Sequence, residues 1–345
     1  MSDRIPVAVL GATGVVGQRL VAMLESHPWF ELAELAGSDR SAGRSYGAVC
    51  RWQLETPLPE RAGSLTVRRP EDGFSSRLVL SALDAASAER IEPGLAKAGH
   101  VVISNASAHR MAPDVPLLVP EINWDQLQLL AEQRHRWPGA LVTNPNCVVA
   151  ALGLVLAPLA RNFGLESACI TTLQSASGAG YPGVASLDLL GNVIPNIPNE
   201  ADKIEAELPK IIGQGPRFSA MTTRVPVVDG HTALVFVRLG TETDEDGIVA
   251  AWRSFRGRPQ ELELPSAPRS PVIVMDESDR PQPRKDLLRG GGMSAIVSRP
   301  RRCPVHDWKF VVLGHNTLRG AAGAALLNAE ALVVLNRAHE RLRHA

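Results

Sequence analysis

A glycine-rich turn near the N-terminus constrains the fold of this chain more than any other feature. Within residues 5–25, an apolar run of strand length (IPVAVL) leads into GATGVVG, and the chain then continues with helical spacing. In such a turn Gly11 permits the tight bend, Gly14 lets the backbone approach a pyrophosphate, and Gly17 lets helix and strand pack closely. A glycine string alone is a weak signal, but between a strand and a helix it predicts a dinucleotide site.

Strands and helices alternate through the first part of the chain. Further strands are predicted over residues 30–36, 78–84, 101–105 and 140–142, with helices over residues 85–98 and 126–134. This alternation is typical of a parallel, doubly wound sheet. Ligands of such sheets gather at the carboxyl ends of the strands, where Ser81, Leu83 and Asn105 lie. We therefore predict an α/β fold whose residues 1–147 form a Rossmann-type nucleotide-binding domain.

The coenzyme preference depends on the loop that follows the second strand. This loop reads GSDRS. An acid here accepts the 2′-hydroxyl of NAD, whereas an arginine with hydroxyl groups accommodates the 2′-phosphate of NADP. Asp39 favours NAD, while Arg40, Ser38 and Ser41 favour NADP. Three donors around one acid predict NADP, and Asp39 keeps the use of NAD open.

Beyond residue 147 the pattern changes to longer strands. Strands are predicted over residues 168–177, 221–228, 232–239, 271–275, 294–298 and 308–313. We predict an α+β catalytic and dimerisation domain over residues 148–317, with a large mixed or antiparallel sheet. Residues 200–212 are predicted as a charged amphipathic helix. A C-terminal helix over residues 318–345 is expected to complete the nucleotide-binding domain.

A polar turn (TNPN) places Cys147 at the start of a long apolar helix. Asn is a favoured N-cap, and the helix over residues 148–157 is expected to end near Pro158. Unpaired N–H groups and the helix dipole favour an anion at this position, so we expect a thiolate near neutral pH. The same N–H groups suit the oxyanion that forms when the sulfur attacks a carbonyl. An inert buried cysteine is the alternative.

Composition restricts the remaining function classes. The 345 residues carry a formal net charge of zero, which argues against a nucleic-acid-binding surface. We expect no signal peptide at the N-terminus and no apolar run that spans a membrane. Cys50, Cys147, Cys169 and Cys303 form neither a CxxC pair nor a metal-binding spacing. We therefore expect a cytoplasmic protein with reduced thiols, without a metal and without nucleic-acid or membrane partners.

A reactive thiol together with a nicotinamide site predicts aldehyde oxidation through a thioester. The thiolate adds to the aldehyde, the hemithioacetal gives hydride to the coenzyme, and an acceptor resolves the acyl-enzyme. This chemistry needs an acid/base near the sulfur, usually a histidine. Among nine histidines, His231 lies at a glycine turn between two predicted strands, a location that is typical of functional residues.

Six motifs, in order along nearly the whole chain, resemble the aspartate-semialdehyde dehydrogenase family, and most closely its archaeal and fungal branch. They are residues 11–17 (GATGVVG), 104–111 (SNASAHRM), 144–147 (NPNC), 173–183 (LQSASGAGYPG), 224–231 (RVPVVDGH) and 314–322 (GHNTLRGAA). The resemblance implies reversible, NADP-dependent reductive dephosphorylation of aspartyl phosphate to the semialdehyde. It also implies a homodimer or homotetramer and a place in lysine, threonine and methionine biosynthesis.

The resemblance further implies a role for each matching residue. Cys147 is implied as the nucleophile, His231 as the acid/base for the hemithioacetal oxygen, and Gln174 as the residue that orients the acyl intermediate. Arg224 is implied to hold the substrate α-carboxylate with its fork of donors. The other implied contacts are Arg110, Asn146 and Lys210 for phosphate, Glu207 for the substrate ammonium, Gly11, Thr13, Gly14, Val15, Val16, Ser38, Arg40, Ser41, Ser81 and Leu83 for NADP, and Ser177, Gly178 and Asn316 for the nicotinamide.

Two alternative functions stay open. Malonyl-CoA reductase belongs to the same branch and uses the same thiol and hydride chemistry, and Arg110 and Lys210 suit either acyl donor. A non-catalytic paralogue that binds only a nucleotide or a partner is the other alternative. The joint presence of four residues argues against it, namely Cys147, Gln174, Arg224 and His231. On spacing alone, Lys210 would form an ordinary surface salt pair with Glu207.

Overall fold

Two β-sheets organise the chain. The computed structural model describes residues 4–343, and side chains as far as Asn336. The predicted end of the last helix at residue 345 lies outside these described residues. Each sheet has its own hydrophobic core, and the last helix packs in the core of the first sheet.

The first sheet contains six parallel strands in the order β3-β2-β1-β4-β5-β6. The strands are β1 Ile5–Leu10, β2 Phe30–Ala36, β3 Val67–Arg68, β4 Leu78–Ser81, β5 Val101–Ser104 and β6 Ala140–Thr143. The strand order reverses between β1 and β4, and their carboxyl ends pair Leu10 with Ser81. Parallel sheets bind ligands at such a switch point, so the predicted Rossmann-type architecture is confirmed.

The second sheet is mixed, which decides between the two predicted forms. Its strands are β7 Leu165–Gln174, β8 Ile194–Pro195, β9 Arg217–Arg224, β10 His231–Leu239, β11 Val272–Met275, β12 Ala295–Ser298, β13 Arg301–Arg302 and β14 Trp308–Gly314. They lie in the order β11-β12-β14-β10-β7-β9-β8, and β13 pairs with β14. The pairs β7–β9 and β11–β12 are parallel, and the remaining pairs are antiparallel.

Within residues 4–343, six helices have eight or more residues. They are α1 Val15–Glu25, α2 Ala85–Lys97, α3 Cys147–Phe163, α4 Glu200–Ile212, α5 Glu245–Ser254 and α6 Gly323–Arg343. Short helical segments are Tyr46–Val49, Glu60–Ser64, Leu129–Gln133, Ser186–Leu189, Arg258–Glu261 and Pro283–Asp286. The helix predicted over residues 126–134 is divided, because a 3₁₀ turn, Trp124–Gln128, precedes its α-helical part.

Helix α3 is longer than predicted. It continues through Pro158 and ends at Phe163, where Gly164 adopts a left-handed φ of 67°. An internal proline costs one backbone hydrogen bond, but the helix is buried from Val148 to Leu159 against the second sheet. Burial therefore outweighs the lost bond, and the left-handed glycine rather than the proline ends the helix.

The last helix corrects a second expectation. The segment Leu318–Asn336 is long and apolar enough to cross a membrane, with a mean hydropathy of 1.4. Within the protein, however, 78% of it is buried, and it packs on β4, β5 and α1. It begins with a π-helical turn, Leu318–Ala322. Its apolar character is therefore that of a core helix.

Candidate functional site

A cleft of about 860 Å³ runs from the glycine-rich turn to Cys147. It lies at the carboxyl ends of the strands of the first sheet, as the fold predicts. The predicted residues that line it are Gly11, Thr13, Gly14, Val15, Val16, Ser38, Leu83, Asn105, Arg110, Asn146, Cys147, Ser177, Gly178 and Asn316. Those outside the cleft lining are Arg40, Ser41, Ser81, Gln174, Glu207, Lys210, Arg224 and His231.

The glycine-rich turn has the geometry that a bound pyrophosphate requires. Gly11 has a φ of +67°, and a Cβ there would lie 2.5 Å from the Ala82 carbonyl oxygen. A Cβ on Gly17 would lie 2.3 Å from the Gly11 carbonyl oxygen. Gly14 is the N-cap of α1, so the first N–H groups of that helix face the cleft and suit an anion.

The far end of the cleft carries both kinds of charge. Ser38 and Asp39 line it, together with Glu71 and Arg90. The Arg90 Nη1 atom lies 2.9 Å from Glu71 Oε1. Arg40, which is predicted to bind the 2′-phosphate of NADP, is exposed nearby and does not line the cleft. The geometry therefore places Asp39 closer to the space for the ligand than Arg40.

Cys147 is the first residue of α3, as predicted. Asn146 caps the helix, because its Oδ1 accepts a hydrogen bond from the Val148 N–H at 3.0 Å. The Asn146 Nδ2 group donates to Glu200 Oε1 at 2.6 Å, and the Asn146 N–H donates to Glu207 Oε2 at 2.5 Å. These hydrogen bonds hold the turn that precedes Cys147. They also occupy the N–H groups of Asn146 and Val148, two of those expected to bind an oxyanion.

His231 lies beside the sulfur. Its Nε2 atom is 3.1 Å from Cys147 Sγ, and its Nδ1 atom accepts a hydrogen bond from the Ser175 N–H at 3.1 Å. A Cβ on Gly178 would lie 2.7 Å from both His231 Cε1 and Arg224 Nη1. Only glycine at position 178 therefore lets the loop pass this close to the imidazole.

Burial favours the neutral form of both members of this pair in the ligand-free site. Burial, reinforced by Glu200, raises the pKa of the Cys147 thiol to about 12. Burial, reinforced by Arg224, lowers the pKa of His231 to about 3. The direction of these pKa shifts opposes the expected thiolate near neutral pH in the ligand-free chain, because desolvation outweighs the helix N-terminus and the nearby arginines.

Gln174 and Arg224 stand side by side at the ends of two parallel strands. The register of β7 and β9 pairs these two residues directly. Arg224 is buried and donates from Nη1 to the Ser175 carbonyl oxygen at 2.7 Å, and burial lowers the pKa of its guanidinium. Gln174 Nε2 lies 3.3 Å from Glu200 Oε1. The second sheet thus brings Gln174, Arg224 and His231 together behind the sulfur.

Glu207 and Lys210 lie behind the wall of the cleft. Glu207 is buried and accepts from Arg110 Nη1 at 2.9 Å. The Lys210 ammonium donates to the carbonyl oxygens of Arg110, Ala112 and Val115 at 2.7, 2.8 and 3.0 Å. Lys210 therefore holds a loop instead of facing a ligand, and the surface salt pair expected from spacing alone is absent.

Sequence reasoning missed two cleft-lining residues on the same helix. Glu200 and Lys203 both line the cleft, and Lys203 Nζ lies 3.3 Å from Glu200 Oε2. Burial opposes the ionisation of Glu200, but hydrogen bonds from Asn146 and the charge of Lys203 lower its pKa overall. A repeat in the sequence could have identified them. EADK (residues 200–203) and ELPK (residues 207–210) are seven residues apart and lie on one helical face.

Comparison with known proteins identifies the family. Residues 6–130 match the semialdehyde dehydrogenase NAD binding domain, and residues 156–319 match the semialdehyde dehydrogenase dimerisation domain. An aspartate-semialdehyde dehydrogenase from Methanothermobacter thermautotrophicus is 46% identical over 341 residues, which cover 94% of this chain and 98% of that protein. A malonyl-CoA reductase (NADP) from Metallosphaera sedula is 37% identical over 350 residues, which cover 96% and 98%.

A solved structure agrees with these sequence matches. The crystal structure of aspartate semialdehyde dehydrogenase with NADP from Candida albicans superposes with a TM-score of 0.89 at 36% identity. The match covers 96% of this chain and 99% of that one. The resemblance inferred from the six motifs is confirmed, and the chain belongs to the aspartate-semialdehyde dehydrogenase family.

Proposed function

We propose that this protein is an NADP-dependent aspartate-semialdehyde dehydrogenase. It would convert L-aspartate 4-semialdehyde, phosphate and NADP⁺ reversibly into 4-aspartyl phosphate and NADPH. The observation that carries the proposal is the contact of 3.1 Å between Cys147 Sγ and His231 Nε2, at the end of a cleft that begins at the dinucleotide turn. A thiol, an acid/base and a nicotinamide site are the parts that oxidation through a thioester needs.

The coenzyme site is assigned to the glycine-rich turn and the strand ends. Gly11 and Gly14 leave room for the pyrophosphate, and the N-terminus of α1 supplies N–H donors. When bound, the coenzyme supplies the hydride acceptor. Preference for NADP rests on Ser38, Arg40 and Ser41, and Asp39 in the cleft lining makes NAD the necessary comparison.

The reacting groups are assigned to the two sheets together. Cys147 Sγ forms a bond to the aldehyde carbon, while its proton passes to His231. His231 then protonates the oxygen and removes that proton again as hydride leaves. Gln174 would orient the acyl group, and Arg224 would pair with the substrate α-carboxylate. Phosphate then attacks the thioester and releases the thiol.

Residues that line the cleft would bind the charged groups of the substrate, and residues behind them would hold these in place. The resemblance implies Glu207 for the ammonium, but Glu200 is the carboxylate that lines the cleft. We therefore assign the ammonium to Glu200 and give Glu207 the task of orienting Arg110, to which it is bonded. Arg110, Asn146 and Lys203 would bind phosphate, with Lys210 supporting their loop.

Self-association through the open face of the second sheet is part of the proposal. Met221 on β9 is 72% exposed and Leu234 on β10 is 37% exposed, and both residues pair with Thr171 of β7 in one row across the sheet. Apolar residues on an uncovered sheet face mark an interaction surface. The matched dimerisation domain supports a second copy as the partner, as a dimer or a tetramer, in the cytoplasm.

Hydride transfer by the purified protein tests the function. Aspartate semialdehyde and phosphate are supplied with NADP or NAD, and malonyl-CoA with NADPH is run in parallel. We expect phosphate-dependent reduction of NADP and no reaction with malonyl-CoA. Turnover of malonyl-CoA instead would favour the alternative that the Metallosphaera sedula relative raises.

Two cysteine variants identify the nucleophile in the same assay. Cys147→Ala should abolish turnover and keep coenzyme binding, whereas Cys303→Ser, which changes a cysteine that does not line the cleft, should keep both. Normal turnover by Cys147→Ala would refute the thioester mechanism. Absence of all turnover in the wild-type protein would leave the non-catalytic paralogue as the better account.

A further inference from the structure

Two groups of the same residue contact Nδ1 of His231. The Ser175 N–H donates to Nδ1 at 3.1 Å, and the Ser175 Oγ atom lies 3.2 Å from Nδ1. Ser175 is fully buried. The sequence pattern gives this residue no role, and it differs from the neighbouring groups because it contacts the imidazole nitrogen that faces away from the sulfur.

The backbone contact alone would oppose proton transfer. A peptide N–H can only donate, so it favours the imidazole tautomer in which Nδ1 accepts and Nε2 carries the proton. In that tautomer Nε2 points a proton at Cys147 Sγ, 3.1 Å away, and has no lone pair for the thiol proton. His231 can accept that proton only when Nδ1 carries the hydrogen.

We propose that the Ser175 hydroxyl accepts the hydrogen bond from Nδ1–H of His231 and so lets Nε2 take the proton of Cys147. A hydroxyl can rotate and either donate or accept. It therefore donates to Nδ1 in the resting tautomer and accepts from Nδ1–H in the reactive tautomer and in the imidazolium. Ser175 is a positioning residue, and this inference rests on the proposed function.

Other groups around the imidazole do not supply this acceptor. The charged and titratable groups that face His231 are Cys147 from α3, Arg224 from β9, Glu200 from α4, and His315 after β14. Arg224 and His315 disfavour a cation there, and Glu200 favours it. Among the described residues with a hydrogen bond to Nδ1, only Ser175 offers an oxygen.

The proton balance is complete with these groups. As the carbon–sulfur bond forms, the thiol proton moves from Sγ to Nε2, and the imidazolium holds Nδ1–H on Ser175 Oγ. The carbonyl oxygen, which has gained the electron pair of the broken π bond, then takes the Nε2 proton. When hydride leaves to the coenzyme that the cleft would hold, Nε2 removes the same proton from that oxygen. The thiolate that phosphate then displaces takes this proton back from Nε2.

Ser175→Ala tests the proposal cleanly, because it removes the hydroxyl and keeps the N–H and the carbonyl that accepts from Arg224. We expect kcat to fall about tenfold in both directions, with unchanged KM for coenzyme, since a bond to a charged group is lost. The acid limb of the pH profile for aldehyde oxidation should move about one unit lower. Ser175→Thr, which keeps a hydroxyl, should restore both, and Ser254→Ala, an exposed serine, should change neither.

A spectroscopic readout separates this inference from the proposed function. In ligand-free protein labelled with ¹⁵N-histidine, wild type should show a population of His231 with Nδ1–H at neutral pH, and Ser175→Ala should lose it. Identical tautomer populations would overturn the proposal, even if wild type turned over no substrate. An unchanged kcat and pH profile in a folded Ser175→Ala variant would also overturn it, as would equal losses in the Ala and Thr variants.

Discussion

The contact between Gly320 and Cys147 yields the sharpest prediction about the nucleophile. A Cβ at position 320 would lie 2.6 Å from Cys147 Cβ and 2.7 Å from Cys147 Cα. Ordinary contact begins at 3.4 Å, so the two segments must separate by roughly 0.8 Å. Both segments are buried, so Gly320→Ala should destabilise the fold by about 1–3 kcal/mol.

The loss of activity should exceed the loss of stability. A displacement of about 1 Å at a reacting group costs about 100-fold in rate, and here it acts directly on the contact of 3.1 Å between Cys147 Sγ and His231 Nε2. We expect kcat/KM for aspartate semialdehyde to fall about 100-fold, while NADP binding is retained.

The matched control for this variant is Gly94→Ala. A Cβ there would meet nothing within 4 Å, and the site is an exposed position inside α2. Alanine is the better helix former by roughly 0.5–1 kcal/mol, so this variant should be slightly more stable and fully active. Wild-type kcat/KM in Gly320→Ala would refute the packing argument.

Three further predictions concern charge. Lys203→Met should raise KM for phosphate about tenfold, because about one hydrogen bond to a charged group is lost. Lys210→Met should mainly lower Tm, because the Lys210 ammonium donates hydrogen bonds to three loop carbonyls. Equal effects of the two variants on KM would contradict this difference in role. Hydrogen bonds from Arg280 and the Gln282 N–H lower the pKa of Asp286. Asp286→Asn should therefore lower Tm at pH 7, and its difference in Tm from wild type should shrink as pH falls below about 4. A difference in Tm that does not change with pH would refute the ionic explanation. In ligand-free protein at pH 7, iodoacetamide should label Cys303 before Cys147, because N–H groups of residues 306 and 305 lower the pKa of Cys303. If mass spectrometry found the reverse order, the result would support a thiolate at Cys147.

The parts of the site that sequence predicts correctly depend on local geometry. Gly11, Gly14 and Gly17 work within one turn, and Asn146 caps the helix that begins at Cys147. Each follows from the backbone preferences of adjacent residues. The resemblance adds His231, since it connects two distant motifs that no local rule joins.

The expectations that the structure opposes depend on how distant elements pack. Lys203 and Lys210 have the same spacing from their glutamates, and only the docking of α4 against the loop of Arg110 decides which one faces the cleft. The helix N-terminus predicts a thiolate at Cys147, but the burial that reverses this depends on the whole fold. Both are long-range properties that no local pattern contains.

The nucleophile and its acid/base belong to different parts of the fold. Asn144 donates to Asn105 Oδ1 at 2.8 Å and to the Ala321 carbonyl at 3.2 Å, and its Oδ1 accepts from Asn328, 184 positions away, at 2.6 Å. The Cys147 turn is therefore bonded to the first sheet and to the last helix, whereas His231 belongs to the second sheet. Because the contact between Cys147 and His231 joins these two units, any shift of one sheet relative to the other would change this contact directly. The two sheets must therefore keep their relative position for the thiol and the imidazole to exchange a proton.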